Sequence, residues 1–131
     1  MLSLLRTGNS TVRSRVALTA PQELAITVIT VEEQLNGWYI QLRQPQSDAQ
    51  LAAVYTRIVE TTVALARLRV LTFDVPAIAR YRGLVALKLN VGKMDLRIAA
   101  IALETGATVV TRNARDFGRV PGLAIADWSA P

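Results

Sequence analysis

The sequence contains ten acidic residues and neither histidine nor cysteine, so any polar chemistry must rest on carboxylates, lysine, tyrosine or hydroxyls. Five acids fall at places where a strand gives way to a helix or loop. Glu33, with Glu32 beside it, follows the apolar stretch Leu24–Ile29. Asp74 follows Arg69–Phe73, Asp116 lies just past Ala107–Thr111, and Asp127 follows Leu123–Ala126. Asp95 opens a long apolar segment. In open parallel sheets, sites gather beyond the carboxyl ends of the strands. Carboxylates brought together there repel one another unless they are protonated or neutralised by a cation. Hard oxygen ligands without imidazole or thiolate select Mg²⁺ or Mn²⁺. A divalent ion in such a cluster can activate water and stabilise an in-line displacement at phosphorus.

Each acid also has a purely structural reading. Thr30 and Glu33 have the spacing of a capping box, in which Glu33 reaches back to the helix start. Glu32 points to solvent. Asp95 in a first helical turn is favoured by the helix dipole. Asp95 nevertheless precedes a helix with almost no polar face, which predicts a carboxylate in a crevice. Asp116 can cap the next turn, Asp74 reads as an N-cap before Pro76, and Asp127 as a surface acid near the chain end.

The elements that must position these residues are legible from periodicity. Leu24–Ile29 reads as a buried strand. Val31, Leu35, Trp38 and Leu42 recur at helical spacing over residues 30–43, and Pro45 ends that helix. Ser47 opens a second helix, with Leu51, Tyr55, Ile58, Thr62 and Leu65 along one side. Residues 69–73 form a second strand. A helix entered at Asp74 and Pro76 carries Ile78, Tyr81, Val85 and Leu89. Residues 95–104 predict a deeply buried helix stopped by Gly106. Residues 107–111 and 123–126 supply two more strands. Short apolar strands alternating with helices argue for one α/β domain spanning residues 1–131, with a parallel sheet. Such domains usually open with a strand, whereas this sequence opens with a helical fragment, Leu2–Arg6.

The chain has 131 residues, a formal charge of +5 and thirteen arginines among fifteen basic residues. Arginine forks suit phosphate recognition, so the balance fits either a polyanionic partner or simply a solvated surface in an arginine-biased genome. No apolar run reaches the ~18–20 residues of a membrane span, and Met1–Asn9 does not fit a secretory signal. The expected address is cytoplasmic. No glycine-rich loop follows any strand, which speaks against a nucleotide-binding domain.

At three places the residues resemble PIN-domain ribonucleases of the VapC-like toxin type. Residues 25–37, with Ile29, Thr30, Glu33, Leu35 and Gly37, resemble the motif that carries that family's catalytic glutamate. Residues 92–100, Gly92 through Asp95 to Ala100, resemble the central motif with a metal-binding aspartate. Residues 106–117, with Thr111, Asn113, Asp116 and Phe117, are similar to the third motif. The likeness continues through Leu123 to Asp127 and Trp128. It covers essentially the whole sequence, and the second and third motifs are specific in combination.

The resemblance implies a PIN-like three-layer fold, a central parallel sheet flanked by helices. It implies that Glu33, Asp95 and Asp116 hold Mg²⁺ or Mn²⁺, and that Thr111 and Asn113 orient the acids, a water or the substrate. Asn113 stands where many relatives carry a further acid. The implied reaction is hydrolysis of RNA phosphodiesters by a toxin that a small antitoxin protein holds inactive. Homodimerisation is implied as well. Arg112, Arg115 and Lys93 lie beside the acids and either hold substrate phosphates or pair with the acids when metal is absent.

One departure shapes the expectations. The family opens with a hydrophobic strand ending in a metal-binding aspartate, and no acid precedes Glu23 here. The first strand is absent from the residues at hand, and the natural start is expected about ten codons upstream of Met1. A central strand contributes several buried side chains at ~1.5–3 kcal/mol each, against a total stability of about 5–15 kcal/mol. The 131 residues are therefore expected to be poorly stable alone and weak as a nuclease. The competing class is a catalytically inactive PIN-like module that only binds an antitoxin or nucleic acid. Trp38 and Tyr39 are adjacent on one helix and cannot both face one core, so one of them either sits half-buried at a rim, the commoner case, or lies in a groove for a partner helix.

Overall fold

The computed structural model describes residues 10–129; the Leu2–Arg6 fragment lies outside them. The chain runs α1 (Ser10–Leu18), β1 (Ala25–Thr27), α2 (Val28–Leu42), α3 (Asp48–Ala66), β2 (Arg69–Leu71), α4 (Val75–Ala86), α5 (Lys93–Thr105), β3 (Val109–Val110), α6 (Ala114–Phe117) and β4 (Ile125–Ala126). The α/β alternation matches the expectation. The strands are parallel, with Ile26 opposite Val70 and Val109 opposite Ile125. Among the described residues they form two separate pairs, β1 with β2 and β3 with β4, rather than one continuous sheet. A cavity of about 420 Å³ lies between the pairs, lined by Leu24, Ala25, Leu71, Val110 and Trp128 among others.

The strands are shorter than their apolar stretches suggest, and β1 shows why. Val28 and Ile29 are β-branched and favour a strand, yet α2 begins at Val28. The Thr27 hydroxyl accepts the Thr30 amide at 3.2 Å. This satisfies one orphan donor of the first turn and starts the helix three residues early. The expected box between Thr30 and Glu33 is therefore not the cap, and Glu33 stands clear of the first turn. Two other starts follow the sequence closely. Ser47 and Gln50 form a full capping box on α3. Asp74 accepts the Ala77 amide at 3.0 Å on α4, with Pro76 in its first turn. The α1 helix has no apolar periodicity to announce it and was not foreseen.

The core is organised on α5. Ala99, Ala100, Ile101 and Ala102 are fully buried, with Leu96 and Ile98 nearly so. The alanines let α4 pack closely through Ala77, Tyr81 and Leu84. Gly106 ends α5 in the left-handed conformation (φ +68°), a backbone state that costs glycine little. The α2–α3 hairpin packs at the edge. Trp38 is half-buried there and donates its indole N–H to Thr61 Oγ1 at 2.9 Å, while Tyr39 faces solvent. Tyr55, Val59 and Val63 form an exposed apolar stripe along α3. No helix among the described residues is long and apolar enough to cross a membrane.

Candidate active site

Two of the expected acids, Asp95 and Asp116, lie near enough for the charge of one to act on the other. Asp95 stands in the first turn of α5, where the helix dipole favours ionisation. Its carboxyl is nevertheless held above the usual range, first by burial and second by the charge on Asp116. Burial and like-charge repulsion outweigh the dipole. A carboxyl shifted in this way by burial and a neighbouring acid is favoured by protonation or by a cation.

A chain of hydrogen bonds fixes Asp116. Thr111 directly follows β3, is 4% exposed, and its amide donates to the Ala126 carbonyl at 2.9 Å. The Thr111 hydroxyl accepts the Asn113 amide at 2.9 Å. Asn113 is the N-cap of α6, with Oδ1 accepting the Asp116 amide at 3.4 Å. Its Nδ2 donates back to Asp116 Oδ2 at 3.0 Å. The cap of α6 is thus Asn113, and Asp116 is not used for capping.

The second oxygen of Asp116 meets a residue that the sequence reading missed. Arg119 Nη1 donates to Asp116 Oδ1 at 3.4 Å and to the Asn90 carbonyl at 2.8 Å. The bases expected to pair with the acids, Arg112, Arg115 and Lys93, are all exposed, and the ion pair at Asp116 is made by Arg119. The i,i+3 spacing from Asp116 to Arg119 was available as a signal. The contact to Asn90 was not.

Glu33 is placed differently. It is half-buried on α2 and lines a groove of about 370 Å³ with Gln34, Gly37, Trp38, Gln41 and Thr61. Among the described residues no three acids stand close enough to hold one metal ion. The acids brought together are Asp95 and Asp116. Their hard oxygens, their mutual repulsion and the absence of nitrogen or sulfur ligands fit a divalent cation of the magnesium type.

The fold and this acid pair define a PIN-type α/β domain, and comparison with known proteins agrees. A family model for the PIN domain matches residues 1–123, and the chain belongs to that family. Within it the chain resembles VapC proteins. It is 41% identical over 69 residues to the tRNA(fMet)-specific endonuclease VapC of Salmonella typhimurium, covering 49% of this chain and 52% of that protein. A second match is 42% identical over 40 residues to Ribonuclease VapC2 of Rickettsia felis, covering 30% of each. The chain thus spans about half or less of the length of these curated relatives. The structure of VapBC-1 from nontypeable Haemophilus influenzae superposes with a TM-score of 0.75 at 25% identity, covering 97% of this chain and 91% of that one. DNA-bound VapBC from Salmonella typhimurium superposes with a TM-score of 0.70 at 30% identity, covering 94% and 88%.

Proposed function

We propose that the chain is a Mg²⁺- or Mn²⁺-dependent endoribonuclease acting as the toxin of a toxin–antitoxin pair. The observation that carries this reading is the Asp95–Asp116 pair, in which burial and the second carboxylate raise the first. Asp95 and Asp116 would hold the ion; Glu33, the third ligand that the resemblance implies, is not grouped with them among the described residues. The ion, when bound, would supply charge neutralisation at the phosphate and activation of water. Thr111 orients Asn113, and Asn113 holds Asp116 in its working rotamer. The exposed Arg112, Arg115 and Lys93 offer contacts to the phosphates of RNA, in keeping with the net charge of +5. The relatives named as RNA endonucleases support the substrate class.

An antitoxin protein is the proposed partner. The similar structures of VapBC-1 from Haemophilus influenzae and of VapBC from Salmonella typhimurium support that partner class. The exposed stripe of Tyr55, Val59 and Val63 is the kind of surface an amphipathic helix covers. Homodimerisation and a cytoplasmic address belong to the same reading.

The test is RNA cleavage by the purified chain with Mn²⁺, with a chelator, and with Asp95→Asn. Cleavage lost under both treatments supports the reading, and cleavage that survives either overturns it. A wild-type chain that binds RNA or antitoxin without any cleavage would instead support the inactive binding module.

A further inference from the structure

We propose that Arg119 is a positioning residue that sets Asp116 against Asp95 by tying α6 to the connection in front of α5. This inference rests on the metal-site reading above.

One atom makes the tie. Arg119 Nη1 reaches the Asn90 carbonyl at 2.8 Å and Asp116 Oδ1 at 3.4 Å. Asn90 lies in the connection between α4 and α5, just before Gly92 caps the helix that carries Asp95. That connection is strained. Lys88 and Asn90 both have left-handed backbones, at φ 54° and 59°. Asparagine tolerates this state and lysine does so poorly, so the surroundings must impose it. The Arg119–Asn90 bond is a long-range contact that can do so. The last turn of α6, from which Arg119 emerges, is tight in itself: the Gly118 amide donates to the Ala114 carbonyl at 2.8 Å, and a Cβ on Gly118 would stand 2.6 Å from that oxygen.

Two effects of Arg119 oppose each other. Its charge repels an incoming cation from Asp116, which would weaken metal binding. Its tie to Asn90 fixes the entry to α5 and so the separation of the two acids, which would strengthen binding. The ion pair is long, and both side chains are about one-third exposed, at 31% and 33%. Solvent screens the charge effect in such a pair. The geometric effect is not screened and prevails.

Mn²⁺ binding measured by calorimetry on the full chain separates the two. Arg119→Ala should weaken binding about tenfold, the lower end of what an outer partner of a metal ligand contributes. Arg119→Lys should recover most of that, because a single ammonium can reach both acceptors. Hydrogen exchange without metal gives a second readout. Amides of residues 88–95 should exchange faster in Arg119→Ala, while those of Ala99–Ala102 keep their protection and report an intact fold. Arg119→Gln provides the same comparison if the alanine variant does not fold. Equal or tighter Mn²⁺ binding by Arg119→Ala, or unchanged exchange over residues 88–95, would overturn the proposal. A wild-type chain that binds no Mn²⁺ would refute the metal-site reading, and the exchange comparison would still decide whether Arg119 holds the connection.

Discussion

Asn113 and Asp116 are bonded reciprocally. The Asn113 side-chain amide donates to Asp116 Oδ2 at 3.0 Å, and its carbonyl oxygen accepts the Asp116 backbone amide at 3.4 Å. One residue thus starts a helix and aims the carboxylate that the helix carries. Asn113→Ala removes both contacts. The lost cap should cost about 0.5–2 kcal/mol, read by denaturant unfolding, and metal-dependent cleavage should fall further because Asp116 is freed. Asn113→Asp keeps the cap acceptor but loses the donor and sets two like charges together. It should be less stable than wild type without metal and regain stability when Mn²⁺ is added.

The raised Asp95 carboxyl has a definite pH consequence. Its folded-state pKa lies above the unfolded value near 3.8. The folded protein therefore binds the proton more tightly, and stability is lost as pH rises from about 3.8 through the folded value. Ionised Asp95 is thus a destabilising group at neutral pH. Asp95→Asn should raise the melting temperature at pH 7, and the gain should shrink toward pH 4. A divalent ion should raise the melting temperature of the wild type and leave that of Asp95→Asn unchanged. Paired thermal melts at the two pH values, with and without Mn²⁺, check each part.

Much of this site was legible in the sequence, and what was not has identifiable causes. Asp95 was legible as a candidate because it stands in the first turn of a helix with little polar face, although the helix dipole alone would also account for an acid there. Asp74 and Ser47 were legible as caps because a capping residue acts on its immediate neighbours. Thr27 and Thr30 are separated by two β-branched residues, and either hydroxyl can cap. Only the Thr27 contact to the Thr30 amide decides between them, and it moves Glu33 out of the first turn. The Arg119–Asn90 bond joins residues 29 apart in sequence, and no local pattern encodes such a meeting.

The core and the exposed stripe should respond oppositely to truncation. Ile101 is completely buried on α5. Ile101→Ala should cost about 2–5 kcal/mol, a large part of a total of about 5–15 kcal/mol. Val59 is 62% exposed on α3, and Val59→Ala should change stability by no more than about 0.5 kcal/mol. Substituting Tyr55 and Val59 together by serine should leave the melting temperature nearly unchanged and weaken binding of the antitoxin. Chemical unfolding and calorimetry with the purified antitoxin measure the two effects separately.

The claim that Asp95 and Asp116 share one divalent ion is tested most directly by iron-directed cleavage of the protein backbone. Fe²⁺ replaces Mg²⁺ or Mn²⁺ in oxygen-ligand sites, and with ascorbate and peroxide it cuts the chain next to its ligands. Mass spectrometry of the fragments should place cuts near Lys93–Asp95 and near Asn113–Asp116, both suppressed by excess Mg²⁺ and both lost in Asp95→Asn. Cuts at only one of these segments, cuts elsewhere, or cleavage unaffected by Asp95→Asn would contradict the shared site.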